Sequence, residues 1–259
     1  MQSKQSEWFE QWSMLKDNEL FLFQDWILPY DLNDFCGKDV LECGCGGGQH
    51  TNFIAPYANS VTAVDLNTIE IAKRRNSHHE NVIFIESDIA TMDLNRKFDI
   101  ILSIGVVHHT DNPEKTVGNM KRHLKEGGLL LLWVYSNEGN WIIKNIVEPV
   151  RKNFLFRLDK AQLLKLSKYI TAIMYLPIFS LYMFPLKFLP YFEYFQNFRK
   201  LSFYRNKLNV FDKLNAPHTD FISHERALKF VQDLHNANVT PYKGVSWRIS
   251  GIKSGDTNP

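Results

Sequence analysis

A chain of 259 residues that is 44% hydrophobic has enough apolar mass for one large α/β domain with an elaboration, which excludes global disorder. The net charge of +2 is unevenly spread: residues 151–207 hold eleven Lys or Arg against Asp159 and Glu193, a local +9 that leaves about −7 elsewhere. Cys36, Cys43 and Cys45 fall within ten residues, which excludes a disulfide framework, and no cluster of ligands predicts a metal. The N-terminal MQSKQSEWFEQW has no apolar run and is not read as a signal peptide, so a reducing, cytoplasmic setting is expected.

Residues 5–28 place aromatic and apolar side chains among charges and are read as helical pieces preceding a sheet, within an N-terminal segment 1–38. Strands are predicted at Asp39–Glu42, Ser60–Val64, Val82–Glu86, Phe98–Ser103 and Leu129–Tyr135, the last after the turn Glu126-Gly127-Gly128. Helices are predicted between them at Gln49–Ala58, Thr68–Asn76 and Pro113–Leu124. Such alternation predicts a Rossmann-like α/β fold, a mostly parallel sheet with helices on both faces, over a core at 39–140. From 141 to 213 the pattern becomes a mainly helical insert after the fifth strand, rich in aromatics and expected to break at Pro149, Pro177, Pro185 and Pro190. The closing part, 214–252, is read as a helix at Ser223–Ala237, N-capped by Ser223, then strands at Val239–Val245 and Trp247–Ile252. The whole is expected to be a single domain.

The run Val40-Leu41-Glu42-Cys43-Gly44-Cys45-Gly46-Gly47-Gly48 puts glycines directly after a strand and before a helix, where a backbone can turn sharply and a ligand can approach it. A dinucleotide fingerprint wants glycine at position 49, which is Gln49 here. Asp65 ends the second strand, where its carboxylate can accept two ribose hydroxyls, and Asp88 ends the third, where it can accept an adenine amino group. Glu42 suits a ligand with an ammonium and a sulfonium rather than a pyrophosphate. The plain alternative is that both aspartates cap the helices that follow, and that Cys43 and Cys45 are small packing residues.

Taken in order, VLECGCGGG, VTAVDLN, IESDI, FDIILSIGVVHHTDNP and LKEGGLLLLWVY resemble the successive motifs of class I S-adenosylmethionine-dependent methyltransferases over residues 39–135. The resemblance implies a seven-stranded sheet whose last hairpin inserts an antiparallel strand. It implies S-adenosyl-L-methionine as cofactor and S-adenosyl-L-homocysteine as product. Glu42, Gly44, Cys45, Gly46 and Gly48 would border the methionine portion, Asp65 would hold the ribose, and Leu66 would pack on adenine. Asp88 with Ile89 would bind the adenine edge, and Ser103, Ile104 and Gly105 would offer backbone to the amino-acid end. Glu42 stands where many members have Asp.

For proton removal the candidates are His108, just past the fourth strand and read ahead of His109, then Glu138 after the fifth strand and His218 where the insert ends. The alternative for His108 is packing. The charge-free run Tyr169–Leu186 is bracketed by Lys168 and Lys187, but its prolines and polar residues argue against a membrane span. The insert is read first as a lid over the acceptor, and otherwise as an interfacial membrane element spanning 151–207 or a homodimer surface. The acceptor is expected to be a hydroxyl or amine of a small biosynthetic intermediate; a sugar, or a lipid-linked or phosphorylated (anionic) metabolite, would suit the basic insert. An RNA methyltransferase is the first rival, disfavoured by the dominance of Phe and a pI of 8.3. A binding module without catalysis is the second.

Overall fold

The computed structural model describes Met14, residues 19–216 (the Phe156 side chain apart) and residues 219–255. The chain divides into two compact units. The first holds the chain to Tyr135, then His218–Tyr242 and the residues from Trp247 on; the second holds Ser136–Pro217 with Lys243–Ser246.

In the first unit, helix α1 (Leu20–Ile27) precedes strands β1 (Asp39–Cys43), β2 (Ser60–Asp65), β3 (Val82–Glu86), β4 (Phe98–Ile104) and β5 (Leu124–Tyr135). Helices α2 (Gln49–Ile54), α3 (Ile69–Arg75) and α4 (Pro113–Arg122) alternate with them. The hairpin β6 (His235–Tyr242) and β7 (Ser246–Ile252) completes a seven-stranded sheet of order β3-β2-β1-β4-β5-β7-β6. β1 to β5 pair in parallel. The Lys253 N–H donates to the Gly128 carbonyl and the Ser136 N–H to the Val245 carbonyl, so numbers rise along β5 as they fall along β7: the inserted strand is antiparallel.

Side chains of a strand alternate between faces, so β5 splits its apolar run. Leu130, Leu132 and Val134 join Leu41, Ile101, Val117 and Met120 on one face, while Leu131 and Trp133 join Val40, Ile100, Phe23 and Ile54 on the other. Both faces are covered, and this is why the central strands read as continuous apolar runs. β3 lies at the edge, where Ile83 is exposed. The glycine turn Glu126-Gly127-Gly128 persists as a bulge: Phe98 pairs with Leu124, but Ile100 pairs with Leu129.

The last helix, α9, spans only His224–Val231, and β6 already starts at His235 rather than Val239. Asn236 adopts φ 49°, a left-handed conformation that no continuing helix contains and that asparagine tolerates. Ser223 is its N-cap, accepting from the Arg226 N–H at 3.3 Å.

At the starts of β1, β4 and β5, Lys125 bridges Asp39 (3.1 Å) and Asp99 (2.9 Å), and Arg96 reaches Asp39 at 3.1 Å. Hydrogen bonds from Asn59 (2.9 Å) and Ser60 (2.8 Å), and then from Lys125, hold the Asp39 carboxyl far below the usual range. A depressed native pKa stabilises fully above the unfolded carboxylate range and is lost as pH falls below it. Asp39→Asn is therefore expected to cost about 1–2 kcal/mol in urea unfolding at pH 7. At pH 3 the gap to wild type should shrink, and an equal gap at both pH values would contradict this assignment.

The second unit is helical. A π-type turn (Ile143–Val147) runs directly into α5 (Glu148–Asn153), followed by α6 (Lys160–Ile178), α7 (Phe192–Phe198) and α8 (Phe203–Asn215). Two of the four prolines do not break helices as expected. Pro149 follows directly on the π-type turn, whose local widening lets the helix continue past it, and Pro177 lies in the last turn of α6. α6 begins with a capping box, Asp159 with Gln162, and packs on α8. Its buried Ser167 and Thr171 satisfy their hydroxyls on carbonyls four residues back, both at 2.7 Å. Asn206 of α8 donates to Tyr175 Oη (2.9 Å) and the Phe198 carbonyl (2.7 Å), joining three helices. Among the described residues, no helix is long and apolar enough to cross a membrane.

Candidate functional site

β1 neighbours β2 on one side and β4 on the other, so the strand order reverses at the carboxyl end of β1, the position where open α/β sheets bind ligands. The glycine loop lies there. Gly44 has φ +80°, and a Cβ would fall 2.5 Å from Val106 Cγ1. Gly48 has φ +74°, and a Cβ would fall 2.4 Å from Asn76 Nδ2 and 3.0 Å from the Ala72 backbone. Here glycine is demanded by both the backbone conformation and the space between α2 and α3.

The loop is tied down from behind. The Gly44 and Cys45 N–H groups donate to the Val64 carbonyl (2.7 and 3.0 Å), and the Gly48 N–H donates to the Cys45 carbonyl (2.8 Å). Arg75 and Asn76 of α3 donate to the Gly47 and Gly48 carbonyls, both at 2.9 Å. One Asp65 carboxylate oxygen accepts from the Gly46 N–H at 2.9 Å; the other accepts from the N–H groups of Asn67 (3.1 Å) and Thr68 (3.2 Å). Thr68 Oγ1 donates to the Gly46 carbonyl at 2.5 Å. These loop N–H groups are thus spent inside the protein, and a carboxylate stands among them. A pyrophosphate would meet Asp65 rather than a row of donors, whereas a cationic ligand meets complementary charge.

Glu42 is buried at 1% exposure. Thr51 donates to one of its oxygens, and the other has no hydrogen-bond donor among the described residues, although His50 Nδ1 lies 3.4 Å away. A buried carboxylate oxygen without a donor suits an incoming ammonium. Burial, with Glu42 beside them, pushes the Cys43 and Cys45 thiols well above their usual range, which agrees with packing residues rather than nucleophiles.

Asp88 is exposed and one of its oxygens accepts from the Ala90 N–H at 2.8 Å, so it caps a turn, not a helix, since the next element is β4; spare acceptor capacity remains. Asn119 donates to the carbonyls of Ile89 and Met92, each at 3.0 Å, and fixes the turn carrying buried Ile89. Leu66 is exposed, as a surface for packing a flat ring requires. Ser103 is fully buried, and its hydroxyl ties β4 to the Cys43 carbonyl at 2.8 Å, while Ile104 and Gly105 close that strand.

An aromatic series runs along this edge of the sheet. Trp26 lies against Trp133 (5.1 Å between ring centres), Trp133 against Tyr135 (5.4 Å), and Tyr135 against His108 (4.3 Å), whose ring also meets His109 (4.2 Å). His108 is fully buried, and the half-buried ring of the pair is His109. The His108 carbonyl accepts from the Asp220 N–H at 2.8 Å. Arg226 grips the Asp220 carboxylate with two hydrogen bonds (2.9 and 2.8 Å) and reaches Glu114 at 2.8 Å. Glu138 is exposed and belongs to the helical unit, and His218 lies outside the described residues.

Sequence reasoning missed Thr51, Thr68, Arg75 and Asn76, whose periodicity reads as ordinary helix starts and ends. Arg226 did carry a signal, since it stands where a capping-box acid is expected. Among the described residues, no three His, Cys, Asp or Glu side chains are grouped to hold a metal.

A glycine loop at the switch point, with carboxylates at three successive strand ends, defines a Rossmann-like site for a nucleoside ligand that carries positive charge. Residues 41–132 match the family model described as a methyltransferase domain. Over these residues the chain is similar to methyltransferase domains. The chain is 36% identical over 84 residues to nodulation protein S of Azorhizobium caulinodans, covering 32% of this chain and 41% of that protein. It is 26% identical over 103 residues to a ubiquinone biosynthesis O-methyltransferase of Rickettsia conorii, covering 39% of this chain and 36% of that protein. The matches therefore span about two fifths or less of these relatives' lengths. The same fold is seen in the N-methyltransferase NodS of Bradyrhizobium japonicum WM9 in complex with S-adenosyl-L-homocysteine, with TM-score 0.53 and 11% identity, covering 96% of this chain and 100% of that one. An O-methyltransferase family protein of Burkholderia thailandensis also has it, with TM-score 0.53 and 13% identity over 91% of this chain and 57% of that one.

Proposed function

We propose that the protein transfers a methyl group from S-adenosyl-L-methionine to a hydroxyl or amine of a small biosynthetic intermediate and releases S-adenosyl-L-homocysteine. The observation that carries this reading is the carboxylate-lined glycine loop, with Glu42 buried beneath it and Asp65 on the Gly46 N–H. Glu42 takes the ammonium, Asp65 the ribose hydroxyls, Leu66 one adenine face, and Asp88 with Ile89 the adenine edge. Gly44, Cys45, Gly46 and Gly48 let the methionine portion approach the backbone, and Ser103–Gly105 receive its carboxylate end. When bound, the cofactor supplies a methyl already activated by positive sulfur. The acceptor's lone pair forms the new bond, the S–CH3 electron pair returns to sulfur, and a base removes the acceptor's proton. His109, the more exposed of the two adjacent rings, serves as that base, with the His108 ring against it. The relatives named for O- and N-methyl transfer are in keeping with either acceptor atom.

The insert 141–213 acts as a lid that selects the acceptor, and its +9 segment favours an anionic or lipid-linked one. The decisive experiment is acceptor-dependent release of S-adenosyl-L-homocysteine by ribonuclease-treated protein. No calorimetric binding of S-adenosyl-L-methionine, or tight NAD binding instead, would end this reading. Hydrogen exchange in 151–207 is expected to slow when cofactor and acceptor are bound together, because a lid is less stable when open. Unchanged exchange would remove the lid assignment while leaving the reaction intact.

A further inference from the structure

The helical unit presents an apolar surface that nothing within it covers. Ile173 and Leu176, three apart and so on one face of α6, are 73% and 80% exposed. In the connection to α7, Met183, Phe184 and Phe188 are 59%, 62% and 81% exposed. The five come from sixteen consecutive residues. Monomeric proteins rarely expose such an apolar concentration without a partner for it.

The connection is a built structure. Tyr182 is buried, and its hydroxyl donates to the Pro190 carbonyl at 2.8 Å. Gln196 of α7 donates to the Tyr182 carbonyl at 3.1 Å, and the Tyr182 ring meets Phe195 edge-on at 5.1 Å. The turn Leu181–Met183 packs on α6. Ile178 and Tyr182 are buried, while Phe179 and Leu181 between them are exposed as well.

Charge identifies the occupant. From Tyr169 to Leu186 there is no charged residue, and the exposed Lys168 and Lys187 stand at its two borders, with exposed Lys165 one turn further back on α6. An exposed apolar segment bordered in sequence by exposed lysines matches a bilayer whose hydrocarbon begins just beneath anionic headgroups. A second copy of the chain matches it poorly: two such faces would bring their bordering lysines together, within segments that each carry +9.

We propose that the end of α6 and the connection to α7 embed in the surface of an anionic phospholipid bilayer, Ile173, Leu176, Met183, Phe184 and Phe188 entering the acyl boundary and Lys168 and Lys187 pairing with phosphates. The inference stands on the helical unit alone and is independent of the reaction assigned above.

Flotation of the full chain on phosphatidylcholine liposomes, with and without phosphatidylglycerol, tests it. The wild type is expected to float with the anionic liposomes, to bind neutral ones about tenfold more weakly, and to be released as salt rises. Ile173→Gln/Leu176→Gln/Phe188→Gln should weaken anionic binding about tenfold or more, with circular dichroism and S-adenosyl-L-homocysteine affinity unchanged. Lys168→Gln/Lys187→Gln should erase the preference for anionic lipid. No flotation of the wild type at low salt would overturn the proposal. So would binding that survives the apolar change, because lysines alone would then hold the surface. A dimer in sedimentation velocity that the apolar change dissolves would give the face to a second copy and overturn it equally. If the triple variant does not fold, Phe188→Trp in the otherwise native chain reads the same point: quenching by brominated acyl chains is expected, and an unquenched tryptophan on bound liposomes refutes embedding.

Discussion

Asp65→Ala is expected to weaken S-adenosyl-L-methionine binding by about 1–3 kcal/mol, roughly 5- to 150-fold in affinity. Two effects combine. The ribose hydroxyls lose their acceptor, and the N–H groups of Gly46, Asn67 and Thr68 lose theirs, so the glycine loop loses a tie to the end of β2. Asp65→Asn separates the two. Its amide oxygen can still accept from Asn67 and Thr68, but its NH2 faces the Gly46 N–H, donor against donor. Thermal melts without ligand should therefore place Asn between wild type and Ala, while calorimetry with S-adenosyl-L-homocysteine should show both variants weakened. Wild-type affinity in Asp65→Ala would remove Asp65 from the cofactor site and leave it as the cap of the turn into α3.

His109→Gln is expected to lower turnover by about 10²- to 10³-fold with cofactor affinity nearly intact, the usual effect of removing a general base. His108→Gln should behave differently. The His108 ring is fully buried between His109 and Tyr135, so its loss is felt first as packing, about 1–3 kcal/mol of stability. Glutamine at 108 should depress the melting temperature and affect turnover through the position of the 109 ring. Comparing turnover and melting temperature for the two variants decides between the roles. Near wild-type turnover in His109→Gln, with a large loss in His108→Gln at unchanged stability, would return the base to His108. Near wild-type turnover in both would leave the histidines as packing and direct attention to Glu138 and His218.

The sequence by itself determined the sheet. Apolar runs ending at Asp65, Glu86 and Ser103 in alternation with helical spacing, and glycines directly after β1, marked a mostly parallel sheet and its ligand edge, because strand period and glycine conformation are local properties; the order of the strands came only with their pairing. The order of its motifs carried the resemblance that the family model then matched over residues 41–132. What it left open depended on distant neighbours. Whether Asp65 faces a ligand or the loop is decided by Gly46, nineteen residues earlier. Which of two adjacent histidines is accessible is decided by Tyr135 and by the return of the chain at Asp220, which Arg226 clamps. The helix read to Ala237 stops at Val231 because His235 opens an edge strand beside β7, a pairing invisible to helical periodicity. The apolar run Tyr169–Leu186 was legible as composition alone. Only the tertiary structure decided that Ile178 and Tyr182 are buried while Leu176 and Phe188 are exposed, since a side chain's burial is set by the element that covers it and not by its own hydrophobicity.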